Sequence, residues 1–138
     1  MIREILSDEA YGILVESRDA VLIDVRSTME HEYVGHPKGS IPIAIKEPPT
    51  WATSPIFLDN IDSALKNKLS GADDILSTKI LLICRSGKRS GEAAEILEAA
   101  GYKNIFNIVD GFEGDKDDNN HRNLINGWKF NNLPWEQS

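Results

Sequence analysis

The run Lys79-Ile80-Leu81-Leu82-Ile83-Cys84-Arg85-Ser86-Gly87-Lys88-Arg89-Ser90, continued by Gly91-Glu92-Ala93-Ala94-Glu95-Ile96-Leu97-Glu98-Ala99-Ala100, decides how this chain folds. Its apolar first part suits a buried parallel strand, and it ends in the one cysteine of the sequence. A short loop with three cations and a glycine follows, and then residues spaced as a helix. This order predicts Cys84 at the carboxyl end of a strand, just ahead of a helix amino terminus. Open α/β sheets bind ligands there, and unpaired backbone N–H groups attract anions there. Cations are unfavourable at a helix amino end, so Arg85, Lys88 and Arg89 call for an anionic partner.

Outward from this unit, the segments Ala20–Val25 and Tyr102–Val109 are two further apolar runs that predict strands, with Asp24 breaking the first. Ser7, read as an N-cap, opens a short helix with one apolar face to about Ser17. Ser40–Ile45 predicts a short strand, which Pro42 confines to an edge or a terminus. A second helix is expected over Asn60–Leu69, beginning near 55–58, with Gly71-Ala72-Asp73-Asp74 as its stop. Gly101 is placed to leave the helix before Tyr102. Strands joined by helices make βαβ units with right-handed crossovers, so the fold class is α/β.

Composition bounds the function. The 138 residues carry 41% hydrophobic and 27% charged side chains, the profile of a single globular domain spanning 1–138. The formal charge of -7 disfavours nucleic acid and anionic membranes as partners, and makes the cations around Cys84 a local reversal of sign. A lone cysteine forms no internal disulfide and fits a reducing compartment, so a cytoplasmic location is expected. The amino terminus is acidic too early for a signal peptide, and no apolar run approaches the roughly 18 residues of a membrane span. Asp115, Asp117 and Asn119 are spaced like part of a calcium loop but lack its glycine and terminal glutamate; no metal and no cofactor are expected. The tail aromatics Trp128, Phe130 and Trp135 are expected to anchor the terminus to the core. His31 and His121 are expected at the surface.

The loop chemistry follows from charge and donors. A free thiol titrates near 8.5, so it is mostly protonated at neutral pH. Converging backbone N–H groups, the positive end of the helix and the three cations all favour the thiolate. The same cradle stabilises a persulfide, whose outer sulfur is anionic; Gly87 allows close backbone approach, and Ser86 and Ser90 offer hydroxyls. A cysteine phosphatase places arginine six positions after its nucleophile, whereas here Arg89 is five positions on and the sixth is Ser90. The tighter loop suits one sulfur atom better than a tetrahedral phosphate.

These residues resemble the rhodanese sulfurtransferases. The strand with Cys84-Arg85-Ser86-Gly87-Lys88-Arg89-Ser90 is similar to the family's active loop. Asp24-Val25-Arg26 with Glu30, then Gly35-His36 with Ser40-Ile41-Pro42, is similar to its amino-terminal signature, and Val109-Asp110-Gly111-Phe112 to a late strand-to-loop element. The agreement runs from about Ser7 to Trp135. One departure is Gly35-His36-Pro37-Lys38-Gly39-Ser40, where the family has Gly-His-Ile-Pro-Gly-Ala. The resemblance implies a three-layer α/β/α fold around a mostly parallel five-stranded sheet, with a core over about 5–114 and an extension over 115–138 packing on it. It also implies sulfur transfer through a persulfide on Cys84, from an anionic donor such as thiosulfate to cyanide or a thiol.

On this resemblance the backbone amides from Arg85 to Ser90 hold the sulfur, and Arg85, Lys88 and Arg89 orient the donor. Asp24 and Arg26 are structural partners tying the first signature to the active loop, and Glu30 and His36 are architectural. Trp51 and Phe112 are candidates for the pocket rim. A sulfur-relay module that hands its persulfide to a partner protein is the alternative. A phosphatase or arsenate reductase of related architecture is disfavoured by the loop length.

Overall fold

Strand β5 (Lys79–Ile83) runs through the middle of the molecule, with all its residues buried except Lys79. The computed structural model describes residues 1–68 and 74–137. β5 is flanked by β2 (Val21–Asp24) and β6 (Asn104–Ile108), both parallel to it. The sheet is completed by β1 (Ile2–Ile5) beside β6 and β4 (Ile41–Pro42) beside β2, in the order β1-β6-β5-β2-β4. All five strands are parallel. Pro42 lies on the outer strand, where its missing N–H interrupts no ladder.

Strand alternation divides the core in two. Val21, Ile23, Ile80, Leu82 and Ile105 face α2 (Phe57–Lys68) and α3 (Lys88–Ala99), whose Phe57, Ile61, Leu65, Ala93, Ala94 and Leu97 cover them. Leu22, Leu81, Ile83, Phe106 and Ile108 face the other way, against Ala10 of α1 (Ser7–Glu16), Phe112 and Trp128. Helices on both faces of one parallel sheet make three layers. No helix among the described residues is long and apolar enough to cross a membrane.

Three expectations change on contact with the structure. β1 was not anticipated, because Arg3 and Glu4 break its apolar pattern; it is an edge strand, and Arg3 lies over the Phe106 ring at 5.4 Å. Ser7 does not act as the N-cap of α1. Leu6 holds that position, and the Ser7 hydroxyl donates to Asp110 at 2.7 Å. The tail anchors through fewer aromatics than expected: Trp128 is buried, Phe130 is exposed, and Trp135 lies at the surface. Trp135 and Glu136 form β7, antiparallel to β3 (His36–Pro37). The expected helix stop at Gly71-Ala72-Asp73 falls outside the described residues.

Candidate active site

Cys84 follows β5 directly, and α3 begins four residues later at Lys88, so the loop between strand and helix is only four residues long, Cys84 to Gly87. Gly87 makes so tight a turn feasible. Its φ is +99°, and a Cβ there would sit 2.4 Å from the Val109 carbonyl oxygen. The turn aims the Gly87 amide at Cys84, to which it donates at 3.1 Å from Sγ. Ser90, one turn into α3, places its hydroxyl 3.3 Å from the same sulfur. Of the amides expected to cradle sulfur, Gly87's is the one that reaches Sγ itself. The cysteine is 1% exposed, so its sulfur sits beneath the loop, at the positive end of a twelve-residue helix.

A second segment braces the loop from behind. The amides of Phe112, Glu113 and Gly114 donate to the Cys84 and Arg85 carbonyls at 2.8 to 3.2 Å. The tail backs this segment in turn, as Trp128 and Lys129 donate to the Gly111 and Phe112 carbonyls. Phe112 is therefore not on the rim. It is fully buried, with the Arg26 guanidinium over its ring at 4.5 Å and Trp135 edge-on at 6.1 Å.

Asp24 and Arg26 are both buried and pair through two side-chain bonds of 2.7 and 2.9 Å. Arg26 also donates to the Gly35 carbonyl. His31 is not a surface residue: its Nδ1 lies 2.7 Å from Asp24, and its ring stacks on His36 at 3.8 Å. Burial pushes the Asp24 carboxyl up, but the bonds from His31 and Arg26 and the charge of Arg26 outweigh it and hold the group below the usual carboxylate range. His36 is fixed by a 2.7 Å bond between its Nδ1 and the His31 carbonyl. This cluster shapes the turn after β2 and is not itself bonded to the active loop, contrary to the expectation for Asp24 and Arg26.

The link is Glu30. Its carboxylate takes both nitrogens of the Arg89 fork, at 2.7 and 2.9 Å, and the Ser27 hydroxyl at 2.9 Å. Burial raises the Glu30 carboxyl, but the Arg89 and Ser27 contacts bring it below its ordinary value. Arg89 is shifted up in return, chiefly by its bond to Glu30.

A cleft of about 530 Å³ opens beside the loop, lined by Arg85, Arg89, Glu30, Glu113, Met29 and Trp51 among others. Trp51 thus stands where a rim residue was expected. Lys88 does not join Arg85 and Arg89 there; it lines a separate groove with Glu4, Glu92 and Glu95. One contributor was missed altogether. Asn107, in the middle of the apolar strand β6, accepts the Ser90 hydroxyl at 2.6 Å behind the sulfur. A polar residue at a buried strand position was the available signal.

Residues 7–118 match the family described as the rhodanese-like domain. The chain belongs to that family. It is 36% identical over 139 aligned positions to protein RC0915 of Rickettsia conorii, covering 98% of each chain. It is 29% identical to the thiosulfate sulfurtransferase GlpE of Haemophilus influenzae over 112 positions, 81% of this chain and 86% of the other. Among solved structures, Rv0390 of Mycobacterium tuberculosis superposes with a TM-score of 0.78 at 30% identity, covering 98% of this chain and 97% of that one. The rhodanese-like fold is the one the family resemblance implied, and the strand–Cys84–helix unit is the one the residue pattern predicted.

Proposed function

We propose that the protein is a sulfurtransferase whose Cys84 carries sulfane sulfur as a persulfide. The observation that carries this reading is the Cys84 sulfur, held by the Gly87 amide at a helix amino terminus with Arg85 and Arg89 alongside. In the first half-reaction the Cys84 thiolate attacks the outer sulfur of a donor, thiosulfate being the simplest. The new S–S bond forms as the bond to the sulfonate sulfur breaks, and its electron pair leaves with sulfite. In the second, cyanide or a thiolate attacks the outer sulfur and the Cys84 thiolate departs, so no external oxidant or reductant is required. This is covalent catalysis with ping-pong kinetics. Arg85 stabilises negative charge as the donor cleaves, while Arg89 beside it is tied to Glu30. The single free cysteine must stay reduced, which fits a cytoplasmic setting.

Intact mass of the purified protein tests the reading. Thiosulfate, or another donor of the same chemistry, should add the mass of one sulfur atom, and cyanide should remove it. Cys84→Ser should show neither change. A Cys84→Ser protein that still moves sulfur to cyanide would end the proposal. Turnover with small acceptors far slower than with one cellular protein would identify a relay rather than a free-standing enzyme.

A further inference from the structure

The charges lining the cleft beside Cys84 cancel. Two guanidiniums, Arg85 and Arg89, face two carboxylates, Glu30 and Glu113. Arg89 is already engaged by Glu30 through a two-pronged contact, with each side chain less than one fifth exposed. Arg26 is buried on Asp24, and Lys88 lines a different groove. Among the described residues, Arg85 is thus the cleft cation without a carboxylate partner, and Glu113 stands in the same cleft without a cationic one. A compact dianion entering here meets one free positive charge and a carboxylate that repels it.

Apart from Ser27, whose hydroxyl is bonded to Glu30, the remaining walls are apolar: Met29, Val34, Pro48 and Trp51. The cleft volume is that of a pocket for a small organic molecule and is far more than a compact inorganic anion fills. Trp51 is held there deliberately. Its φ is +55°, a left-handed conformation unusual for so large a residue, and its ring is nearly half exposed. The loop that holds it is pinned at several points. The Trp51 amide donates to the Glu47 carbonyl at 2.9 Å, Lys46 bridges Thr53, and the Glu47 carboxylate accepts the amide and hydroxyl of Thr28.

We propose that this cleft selects a monoanionic organic sulfane-sulfur donor with an apolar body over thiosulfate. Glu30 sets the charge preference by neutralising Arg89, and Trp51 sets the size preference by walling the apolar side. The inference rests on the persulfide reading of Cys84. The step is Cys84–S⁻ + R–SO₂–S⁻ → Cys84–S–S⁻ + R–SO₂⁻. The sulfane sulfur moves to Cys84, its bond to the sulfonyl sulfur breaks, and the electron pair leaves with the sulfinate.

Three donors separate the two variables. Thiosulfate is a dianion, methanethiosulfonate a small monoanion, and benzenethiosulfonate a monoanion with an aromatic body. Persulfide formation on the full chain is followed for each, and every kcat/KM is divided by the rate of the same donor with N-acetylcysteine, which removes intrinsic reactivity. The corrected values are expected to rise in that order, with each step on the order of tenfold. Trp51→Ala compresses the second step, and Glu30→Gln, which keeps an acceptor for Ser27 while releasing Arg89, compresses the first. Should Glu30→Gln fail to fold, the wild-type series and Trp51→Ala still decide. Thiosulfate at or above benzenethiosulfonate, or a series unaltered by Trp51→Ala, overturns the inference while leaving sulfur transfer standing. No persulfide from any of the three donors overturns the transfer reading and the inference together.

Discussion

The Ser90 hydroxyl donates to Asn107 Oδ1 at 2.6 Å while standing 3.3 Å from Cys84 Sγ. A hydroxyl has one proton, and here it points away from the sulfur toward β6, the strand next to the sheet edge. The Asn107 amide is set by its own contact to the Gly87 carbonyl, at 3.4 Å, so its oxygen is left facing Ser90. An anionic Cys84 therefore competes with Asn107 for the Ser90 proton. Replacing Asn107 frees the hydroxyl to turn to the sulfur, and one such bond is worth about 1 kcal/mol, or several-fold in rate. Asn107→Ala is expected to speed alkylation of Cys84 by iodoacetamide at pH 7 several-fold, and adding Ser90→Ala should erase the gain. An Asn107→Ala rate equal to wild type would leave Asn107 with packing alone.

The loop geometry has a second dependence, on Gly111. Its φ is +65°, and a Cβ there would lie 2.4 Å from the Arg85 carbonyl oxygen, inside the segment that braces the catalytic loop. Gly111→Ala combines left-handed strain of about 1–3 kcal/mol with a backbone displacement at Arg85. The expected result is a lower urea midpoint and a fall in donor kcat/KM larger than the lost stability explains at a temperature where the variant is folded. A variant destabilised but with unchanged kcat/KM would show that the loop tolerates movement of its brace.

Much of this arrangement was legible in the sequence because it is local. The run from Lys79 to Ala100 encodes strand, turn and helix within 22 consecutive residues, and a buried strand followed by a cationic turn has few other interpretations. What was not legible depends on partners distant along the chain. His31 looks like a surface histidine until Asp24 and His36 are folded around it. Glu30 reaches Arg89 across 59 residues, and Ser7 reaches Asp110 across 103. Lys88 and Arg89 are adjacent in sequence, yet successive helix positions are rotated by about 100°, which sends them to different grooves. Phe112 matched the family element correctly, but its place in the core is set by Arg26 and the tail rather than by its neighbours.

The Asp24 cluster predicts an acid-sensitive fold. In the folded state its carboxyl is held below its ordinary value by His31 and Arg26, against the opposing effect of burial. A depressed carboxylate contributes stability that is complete well above the unfolded value, near pH 4, and is lost as pH falls through the folded value. Glu30 adds to the same limb with the same sign. Stability measured by urea unfolding should therefore drop steeply below about pH 4. Asp24→Asn leaves Arg26 buried without its charge partner, at a cost of about 3–5 kcal/mol at pH 7, and flattens the acid limb. An Asp24→Asn protein with the wild-type slope below pH 4 would assign that limb to other groups.

Asp110 ties three parts of the chain at one carboxylate. It accepts the Ser7 amide at 2.9 Å, the Ser7 hydroxyl at 2.7 Å and the Gly127 amide at 3.2 Å, and Asn131 in turn donates to the Ser7 hydroxyl. The start of α1, the end of β6 and the tail thus converge on a side chain that is 3% exposed. Removing it orphans buried donors at about 1–3 kcal/mol each, and the loss falls chiefly on the tail, which packs on the core through Trp128 and the short β7 pair. Asp110→Ala is expected to expose Lys116, Arg122 and Lys129 to trypsin under native conditions, before the sites in α2 and α3 are cut. Because the tail backs the segment that braces Cys84, loss of donor kcat/KM should accompany tail cleavage. A variant whose tail is clipped with transfer intact would show that Phe112 and Gly114 hold the catalytic loop without it.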